Sequence, residues 1–90
     1  MEFEYDPAKS QSNQEKHGID FLEAQELWDD EDRLQIPAKS ETEIRFGLIA
    51  QRDNKIWVAF YTEREEVIRL ISVRRARENE EQAYDSGRTG

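Results

Sequence analysis

Three strand-like runs separated by short turns constrain the fold of this chain more than any other feature of its sequence. The runs are Ile44–Arg52, Ile56–Thr62 and Val67–Val73, and each is rich in β-branched and aromatic residues, which favour strands. Asp53-Asn54 separates the first two runs, and Arg64–Glu66 separates the second from the third. Because connections this short join antiparallel neighbours, the runs predict an antiparallel meander.

The residues at the N-terminus predict a short strand followed by a helix. Phe3 and Tyr5 alternate with acidic residues, with the two-residue period of a strand. Asp6 suits a helix N-cap because its carboxylate accepts from free amides, and Pro7 suits the first helical position, where the N–H is unpaired anyway. Gly18 suits the left-handed position that ends a helix. We therefore expect a polar helix between Pro7 and Gly18.

A second helix is expected to begin at Asp20, because Glu23 follows three residues later as in a capping box. Apolar residues at helical spacing are expected to face the core: Phe21, Ala24, Leu27 and Trp28. The acidic run 29–32 ends this helix, where carboxylates oppose the helix dipole, so we expect fraying there. Leu34 and Ile36 alternate weakly and predict one more short strand.

The segment from Arg75 to Tyr84 predicts a terminal helix, since it is rich in Arg, Glu, Gln and Ala, and residues 85–90 are expected to be a loose tail. The order is then a short strand, two helices, a three- to four-stranded antiparallel sheet and a C-terminal helix. Helices packed on an antiparallel sheet make an α+β domain. We expect residues 1–90 to form one such domain with a thin core, because 90 residues suffice for a single domain.

Charge is distributed unevenly along a chain whose formal net charge is −8. Residues 1–43 carry 4 basic and 13 acidic side chains, whereas residues 44–77 carry 8 basic and 4 acidic ones. Residues 78–90 return to an acidic excess, with 1 basic and 4 acidic side chains. The acidic total argues against a general nucleic-acid binder, and the basic segment, centred on Ile68–Arg77, is the candidate for recognition.

Other classes are excluded by what the sequence lacks. It contains no cysteine, so it has neither disulfides nor a thiolate metal site. Its acidic first residues and the absence of a long apolar run predict neither a signal peptide nor a membrane span, and we expect a cytoplasmic protein. A single His excludes a histidine-rich metal site, and the acidic run 29–32 is interpreted as a solvated turn rather than a magnesium site. We expect no metal and no cofactor.

The remaining candidates for chemistry are cations on or beside the last strands: Arg45, Arg64, Arg69, Arg74, Arg75 and Arg77. The planar guanidinium suits phosphate, so these side chains favour a surface for phosphate or for an acidic partner. For any one of them, pairing with a neighbouring glutamate is an equally good interpretation.

Two motifs occur in order along nearly the whole chain. The first comprises Phe3, Tyr5, Asp6, Lys9, Asn13, Lys16, His17, Gly18, Phe21 and Ala24. The second is Ile68-Arg69-Leu70-Ile71-Ser72-Val73-Arg74-Arg75-Ala76, followed by Glu80 and Tyr84, and Trp28-Asp29-Asp30 and Arg45 also fit. Together they resemble the signatures of the BrnT toxin family. The alternative interpretation is a small α+β domain unrelated to this family.

The resemblance implies a RelE-like fold and a ribonuclease toxin of a type II toxin–antitoxin system that stops translation. It also implies a BrnA-like antitoxin, a ribbon-helix-helix DNA-binding protein that occludes the toxin and carries the pair to its operon, so that DNA is contacted only indirectly. A metal-independent endoribonuclease can use the 2′-hydroxyl of its RNA substrate as nucleophile, and then needs a base, an acid and phosphate stabilisation.

The residues proposed for these roles come from both motifs. Arg69, Arg74 and Arg45 are the candidates for holding the scissile phosphate, and His17 is the acid–base candidate because His changes charge near neutral pH. His17 also suits a helix C-terminus beside Gly18, and the sequence favours this structural interpretation over the acid–base one. Further RNA contacts are expected from Arg64, Arg75, Arg77, Tyr61 and Tyr84, although either tyrosine can instead belong to the core.

The C-terminal helix differs from what the resemblance implies, because it carries Glu78, Glu80 and Glu81 where basic residues are expected. RNA affinity depends on neutralising phosphates, which acidic side chains oppose. A second hypothesis is therefore a non-catalytic toxin-like module, which binds a DNA-binding antitoxin and co-regulates its operon without cleaving RNA.

Overall fold

The computed structural model describes residues 1–89, and Gly90 lies outside the described residues. The chain forms, in order, β1 (Glu2–Glu4), α1 (Pro7–His17), α2 (Phe21–Ala24), a 3-10 helix (Gln25–Asp29), β2 (Leu34–Ala38), β3 (Arg45–Arg52), β4 (Lys55–Arg64), β5 (Val67–Arg75) and α3 (Glu78–Thr89). The α+β class predicted from the sequence is confirmed.

All five strands belong to one sheet with the order β1-β5-β4-β3-β2. Strands β2 to β5 form the predicted antiparallel meander. The short N-terminal strand is not separate from it: β1 pairs in parallel with β5, with Phe3 opposite Ile68, and makes the sheet five-stranded. Pro37 lies in β2 at the sheet edge, where its missing N–H costs no ladder hydrogen bond.

Local capping chemistry sets the helix ends where the sequence predicts them. The Asp6 carboxylate accepts from the amide of Ala8 at 2.9 Å, and Gly18 ends α1 in the left-handed region at φ 79°. Asp20 and Glu23 form a complete capping box, in which each side chain accepts from the other residue's backbone amide. The second helix is nevertheless α-helical for only one turn and continues as the 3-10 helix.

The two faces of the sheet are covered differently. On one face, here called the covered face, α2 and the 3-10 helix bury Phe21, Ala24 and Leu27 against the sheet. The sheet side chains in this cluster are Leu48, Ala50, Trp57, Ala59, Tyr61, Ile68, Leu70 and Val73. The opposite face, here called the open face, has a smaller cluster in which Tyr84 of α3 packs on Ile49 and Val58. The open face is therefore packed by α3 around Tyr84, next to β3 and β4.

Helix α3 differs from its prediction at both ends. It begins at Glu78, three residues after the predicted start, and it continues to Thr89, so residues 85–89 are helical rather than a loose tail. The hydroxyl of Tyr84 donates to Asp30 Oδ2 at 2.5 Å, which ties α3 to the turn before β2. The position of α3 over the sheet is thus fixed by a buried aromatic ring and a polar anchor.

Asp30 shows that the acidic run is more than a solvated turn. Besides the Tyr84 hydroxyl, its carboxylate accepts from the amides of Gln51 at 2.8 Å and Asp32 at 2.9 Å. Burial raises the pKa of Asp30, but these hydrogen bonds outweigh burial, and the net effect lowers that pKa. Burial and the Asp30 carboxylate together raise the pKa of Tyr84, which keeps its phenol neutral.

None of the helices within residues 1–89 combines the length and the apolarity that a membrane span needs.

Candidate functional site

A β-bulge in β5 decides which arginines share the open face. Phe60 pairs with Ser72 while the next residue, Tyr61, pairs with Leu70, so Ile71 is an extra residue in β5. With strict alternation, Arg69 and Arg74 would point to opposite faces, because five residues separate them. The bulge reverses the alternation after Ile71 and therefore brings Arg74 to the open face with Arg69.

Four side chains of the open face form a row across four adjacent strands. Glu4 of β1 pairs with Arg69 of β5, and Arg69 pairs with Thr62 of β4. Continuing the β3–β4 register by one residue beyond the Phe46–Tyr61 pair sets Arg45 beside Thr62. Two strand spacings separate Arg45 from Arg69, about 10 Å between their Cα atoms. We call these four residues, Glu4, Arg69, Thr62 and Arg45, the arginine row.

A cavity of about 520 Å³ lies at this end of the open face. Three members of the arginine row line this cavity: Glu4, Thr62 and Arg69. The other lining residues are Glu43, Ile44, Glu63, Arg64 and Val67. Each arginine of the row has a carboxylate beside it: Arg69 Nη1 lies 3.7 Å from Glu4 Oε1, and Arg45 Nη2 lies 3.2 Å from Glu43 Oε1. Guanidinium and carboxylate groups therefore surround the same cavity.

Arg74 lies further along the open face and is held by α3. Its Cα is about 13 Å from that of Arg69, because their β4 partners, Val58 and Thr62, are four residues apart. The guanidinium lies over the ring of Phe60 at 5.1 Å and donates to both carboxylate oxygens of Glu80 at 2.8 and 2.9 Å. At this separation, and with Arg74 bound to Glu80, the two arginines are not placed to hold the same phosphate.

The Arg74–Glu80 pair also caps α3. Glu80 Oε1 accepts from the backbone amide of Arg77 at 2.7 Å. This is one of the two hydrogen bonds of a capping box, the one in which the third helical residue accepts from the N-cap amide. Hydrogen bonds from Arg74 lower the pKa of Glu80, and Glu80 in turn raises the pKa of Arg74. The carboxylate of Glu80 is only 13% exposed and occupies the place where a phosphate would meet Arg74.

His17 lies outside the arginine row. It is the last residue of α1, is exposed, and lines a cavity of about 190 Å³ with Ile71 and Ser72 at the β5 edge. Because Ser72 pairs with Phe60 on the open face, this cavity is next to the face that carries Arg69 and Arg74.

The remaining predicted RNA contacts are dispersed. Tyr61 is 2% exposed on the covered face, where its hydroxyl accepts from Gln35 Nε2 at 2.7 Å, and burial raises its pKa. Tyr84 is 1% exposed beneath α3. Neither ring is available to stack on a base in this structure, because both are core residues.

Two of the predicted arginines also lie away from the row. Arg75 lies at 5.5 Å over the ring of Trp57, which belongs to the covered face, and Arg77 is exposed at the start of α3. Of the predicted RNA-binding residues, Arg64 lies nearest the row, since it lines the 520 Å³ cavity with Arg69.

Three residues of the site were not singled out from the sequence: Glu4, Thr62 and Phe60. The Arg74–Glu80 pair confirms, for that arginine, the interpretation that a neighbouring glutamate holds it. Phe60 and Thr62 alternate with Trp57, Ala59 and Tyr61 in β4, which is the signal that could have grouped them on one face. Glu4 is found only through the parallel pairing of β1 with β5, which the sequence does not reveal.

Among residues 1–89, no three or more His, Cys, Asp or Glu side chains are grouped in a way that could hold a metal ion. The candidate residues described above carry guanidinium, carboxylate, hydroxyl and imidazole groups.

Comparison with known families gives one match. The family model described as "Ribonuclease toxin, BrnT, of type II toxin-antitoxin system" matches residues 5–80, which is most of the chain. The matched range contains Arg45, Thr62, Arg69, Arg74 and Glu80, and it begins one residue after Glu4. A search of curated proteins found no match.

Proposed function

Because the chain belongs to the BrnT family of ribonuclease toxins of type II toxin–antitoxin systems, we propose that it is an endoribonuclease that cleaves RNA in the cytoplasm without a metal ion and thereby inhibits translation. The observation that carries this proposal is the arginine row, in which Arg45 and Arg69 flank Thr62 on one face of the sheet. The guanidiniums of two arginines whose Cα atoms are about 10 Å apart can converge on one phosphate placed between them.

Phosphate stabilisation is the proposed role of Arg45 and Arg69. In a cleavage by the RNA's own 2′-hydroxyl, negative charge grows on the non-bridging oxygens of the scissile phosphate in the transition state. Fixed cations on strands are preorganised for that charge, and their carboxylate partners, Glu4 and Glu43, are displaced toward the substrate sugar when phosphate enters. Arg64, on the same cavity, provides the approach for a neighbouring phosphate.

Proton transfer is assigned to Glu4 and His17. Glu4, opposite Arg69 in the row, accepts the proton of the 2′-hydroxyl as its oxygen bonds to phosphorus. The bond from phosphorus to the 5′-oxygen breaks, and His17, beside Ser72 at the same edge of β5 as Glu4, donates a proton to that oxygen. The products are a 2′,3′-cyclic phosphate and a free 5′-hydroxyl, so protons and electrons balance without a metal.

Arg74 and Phe60 provide a second contact along the strand. An aromatic ring on an open sheet face can stack on a base, and Arg74 can hold the adjoining phosphate once Glu80 gives up its guanidinium. Base stacking is thus proposed for Phe60 rather than for Tyr61 or Tyr84.

The experiment is cleavage of single-stranded RNA by the purified protein in the presence of EDTA. We expect products that end in 2′,3′-cyclic phosphate, and no cleavage where a 2′-deoxynucleotide replaces the nucleotide at the cut. Glu4→Gln should slow cleavage at saturating RNA, whereas Glu2→Gln, on the same strand, serves as the matched control. Cleavage that requires an added divalent metal, or that tolerates the 2′-deoxynucleotide, would refute the mechanism.

Membership of a type II family implies an antitoxin partner. We propose that this partner is a BrnA-like ribbon-helix-helix protein that covers the open face and brings the complex to operator DNA. Co-expression should yield a stable complex without ribonuclease activity, and expression of the toxin alone should arrest growth. Growth arrest that persists in the presence of the bound antitoxin would contradict the proposal.

The second candidate function is a binding module that has lost catalysis. It is favoured by the carboxylates beside three of the open-face arginines: Glu43 beside Arg45, Glu4 beside Arg69 and Glu80 beside Arg74. A protein that binds the antitoxin tightly but leaves RNA intact under all conditions would decide for this function and against the ribonuclease.

A further inference from the structure

Among the residues that the structure describes, no carboxylate lines a groove between α1 and the exposed edge of β5. Its volume is about 190 Å³, and α1 contributes a stripe at helical spacing: Lys9, Ser12, Asn13, Lys16 and His17. Ile71 and Ser72 of β5 form the other wall. In contrast, the cavity beside the arginine row is lined by three glutamates, Glu4, Glu43 and Glu63. In a chain of net charge −8, such a lining favours an anionic ligand.

The cations of this groove are also unpaired. No carboxylate of residues 1–89 makes an ion pair with Lys9, Lys16 or His17, whereas the open-face arginines Arg69 and Arg74 each have one. Lys16 and His17 do oppose the negative end of the α1 dipole, but that role does not involve Lys9, which lies two turns earlier.

Asn13 holds α1 rigidly against the strand edge. Its side-chain amide donates to the carbonyl oxygens of Ile19 at 2.8 Å and Val73 at 2.9 Å, and its carbonyl accepts from the Val73 amide at 3.1 Å. The Asn13 side chain therefore replaces a neighbouring strand at Val73. As a result, Lys9 and Lys16, which lie on the same helix face, are held at a fixed height beside β5.

The groove continues the open face toward the edge of β5. Ser72 lines the groove and pairs with Phe60, one open-face position from the Arg69–Thr62 pair, a step of about 7 Å along the strand. We propose that the α1 groove binds the backbone phosphate on the 3′ side of the scissile one, with Lys9, Lys16 and the Ser12 hydroxyl as ligands. This subsite rests on the proposed function, since it extends the path of the RNA past His17.

The test measures binding rather than cleavage. Fluorescence anisotropy gives the affinity of a 2′-O-methyl RNA oligonucleotide, which cannot be cleaved, over a range of KCl concentrations. The variant is Lys9→Gln/Lys16→Gln, and the control is Arg33→Gln/Lys55→Gln, which removes the same charge from exposed positions away from the open face. Each lost phosphate contact lowers the slope of log affinity against log salt by about 0.7 for a single strand.

The expected result is a slope smaller in magnitude by about 0.7 for the groove variant, the loss of one phosphate contact, with the wild-type slope kept by the control. Equal slopes for the two variants would overturn the subsite.

If poly-glutamate binding, but not RNA binding, is lost in the groove variant, the groove is a protein-docking surface and the proposal is also wrong. Lys16→Gln alone replaces the double variant if the latter melts early. A wild type that binds but never cleaves refutes the ribonuclease, while the slope comparison still decides the subsite.

Discussion

Replacing Glu80 by Gln is expected to weaken the fold and to strengthen RNA binding at the same time. The Glu80 carboxylate accepts three hydrogen bonds, two from Arg74 and one from the Arg77 amide. A neutral amide keeps one acceptor oxygen and loses the charge, so at least two charge-assisted bonds are lost or weakened. Such bonds contribute about 1.5–3 kcal/mol each when shielded, and Arg74 is 23% exposed and can be partly rehydrated.

We therefore expect the free energy of unfolding to fall by about 2 kcal/mol, which lowers the melting temperature of a domain this small by roughly 8–16 °C. Glu81→Gln is the matched control, because it removes the same charge from the same first helical turn without touching Arg74. Thermal denaturation followed by circular dichroism gives both values.

The same variant frees the Arg74 guanidinium over Phe60 for a phosphate. Its salt slope for RNA binding should rise by about 0.7, and Arg74→Ala in the Glu80→Gln background should cancel that gain. A protein that loses stability but gains no RNA affinity would refute the assignment of Arg74 to the RNA surface.

The stability difference should also depend on pH. Because Arg74 holds the folded-state pKa of Glu80 below its ordinary value, the pair stabilises the fold above the unfolded pKa, about 4.3, and this contribution is lost as the pH falls through the folded pKa. The gap between wild type and Glu80→Gln should therefore shrink on acidification below about pH 4. A gap that widens in acid would contradict the sign of the shift.

Two further predictions concern stability. Asn13→Ala should lower the free energy of unfolding by about 2–4 kcal/mol, because it leaves the Val73 amide and carbonyl unpaired in the interior. The control, Gln14→Ala at an exposed position of the same helix, should change the free energy of unfolding little. Chemical denaturation measures both variants, and equal effects would contradict the anchoring role of Asn13. The double variant Glu65→Asn/Glu66→Gly should raise the melting temperature. Both glutamates have positive φ, 51° and 70°, and Asn-Gly is the sequence that best suits such a hairpin turn. A lower melting temperature would show instead that these glutamates stabilise the turn.

The parts of the fold predicted correctly depend on local chemistry. Asp6, Gly18 and the Asp20–Glu23 box act within a few residues of their own backbone, so their types reveal their positions. The parallel pairing of β1 with β5 depends on residues more than sixty positions apart, and no local pattern marks it. The extension of α3 likewise depends on a tertiary anchor, Tyr84 on Asp30.

The sequence names the arginines of the candidate site but does not reveal how the fold arranges them. The bulge at Ile71 exchanges the faces of Arg74 and Arg75, and nothing in an apolar strand announces an extra residue. Alternation in β4 separates Phe60 from Tyr61, but because the strand is apolar on both faces it does not reveal which of the two faces the helices cover. The charge count identified the basic segment, but only the strand register shows which of its arginines share the open face.

The most direct test of the arginine row compares RNA cleavage by Arg69→Ala and Arg75→Ala. Both residues lie in β5 and both are exposed, but Arg69 is in the row and Arg75 lies over Trp57 on the covered face. We predict that Arg69→Ala lowers the cleavage rate by about 10²–10³-fold, the usual loss for one transition-state charge contact, while Arg75→Ala stays near the wild-type rate. Equal losses, or a larger loss for Arg75→Ala, would contradict the account.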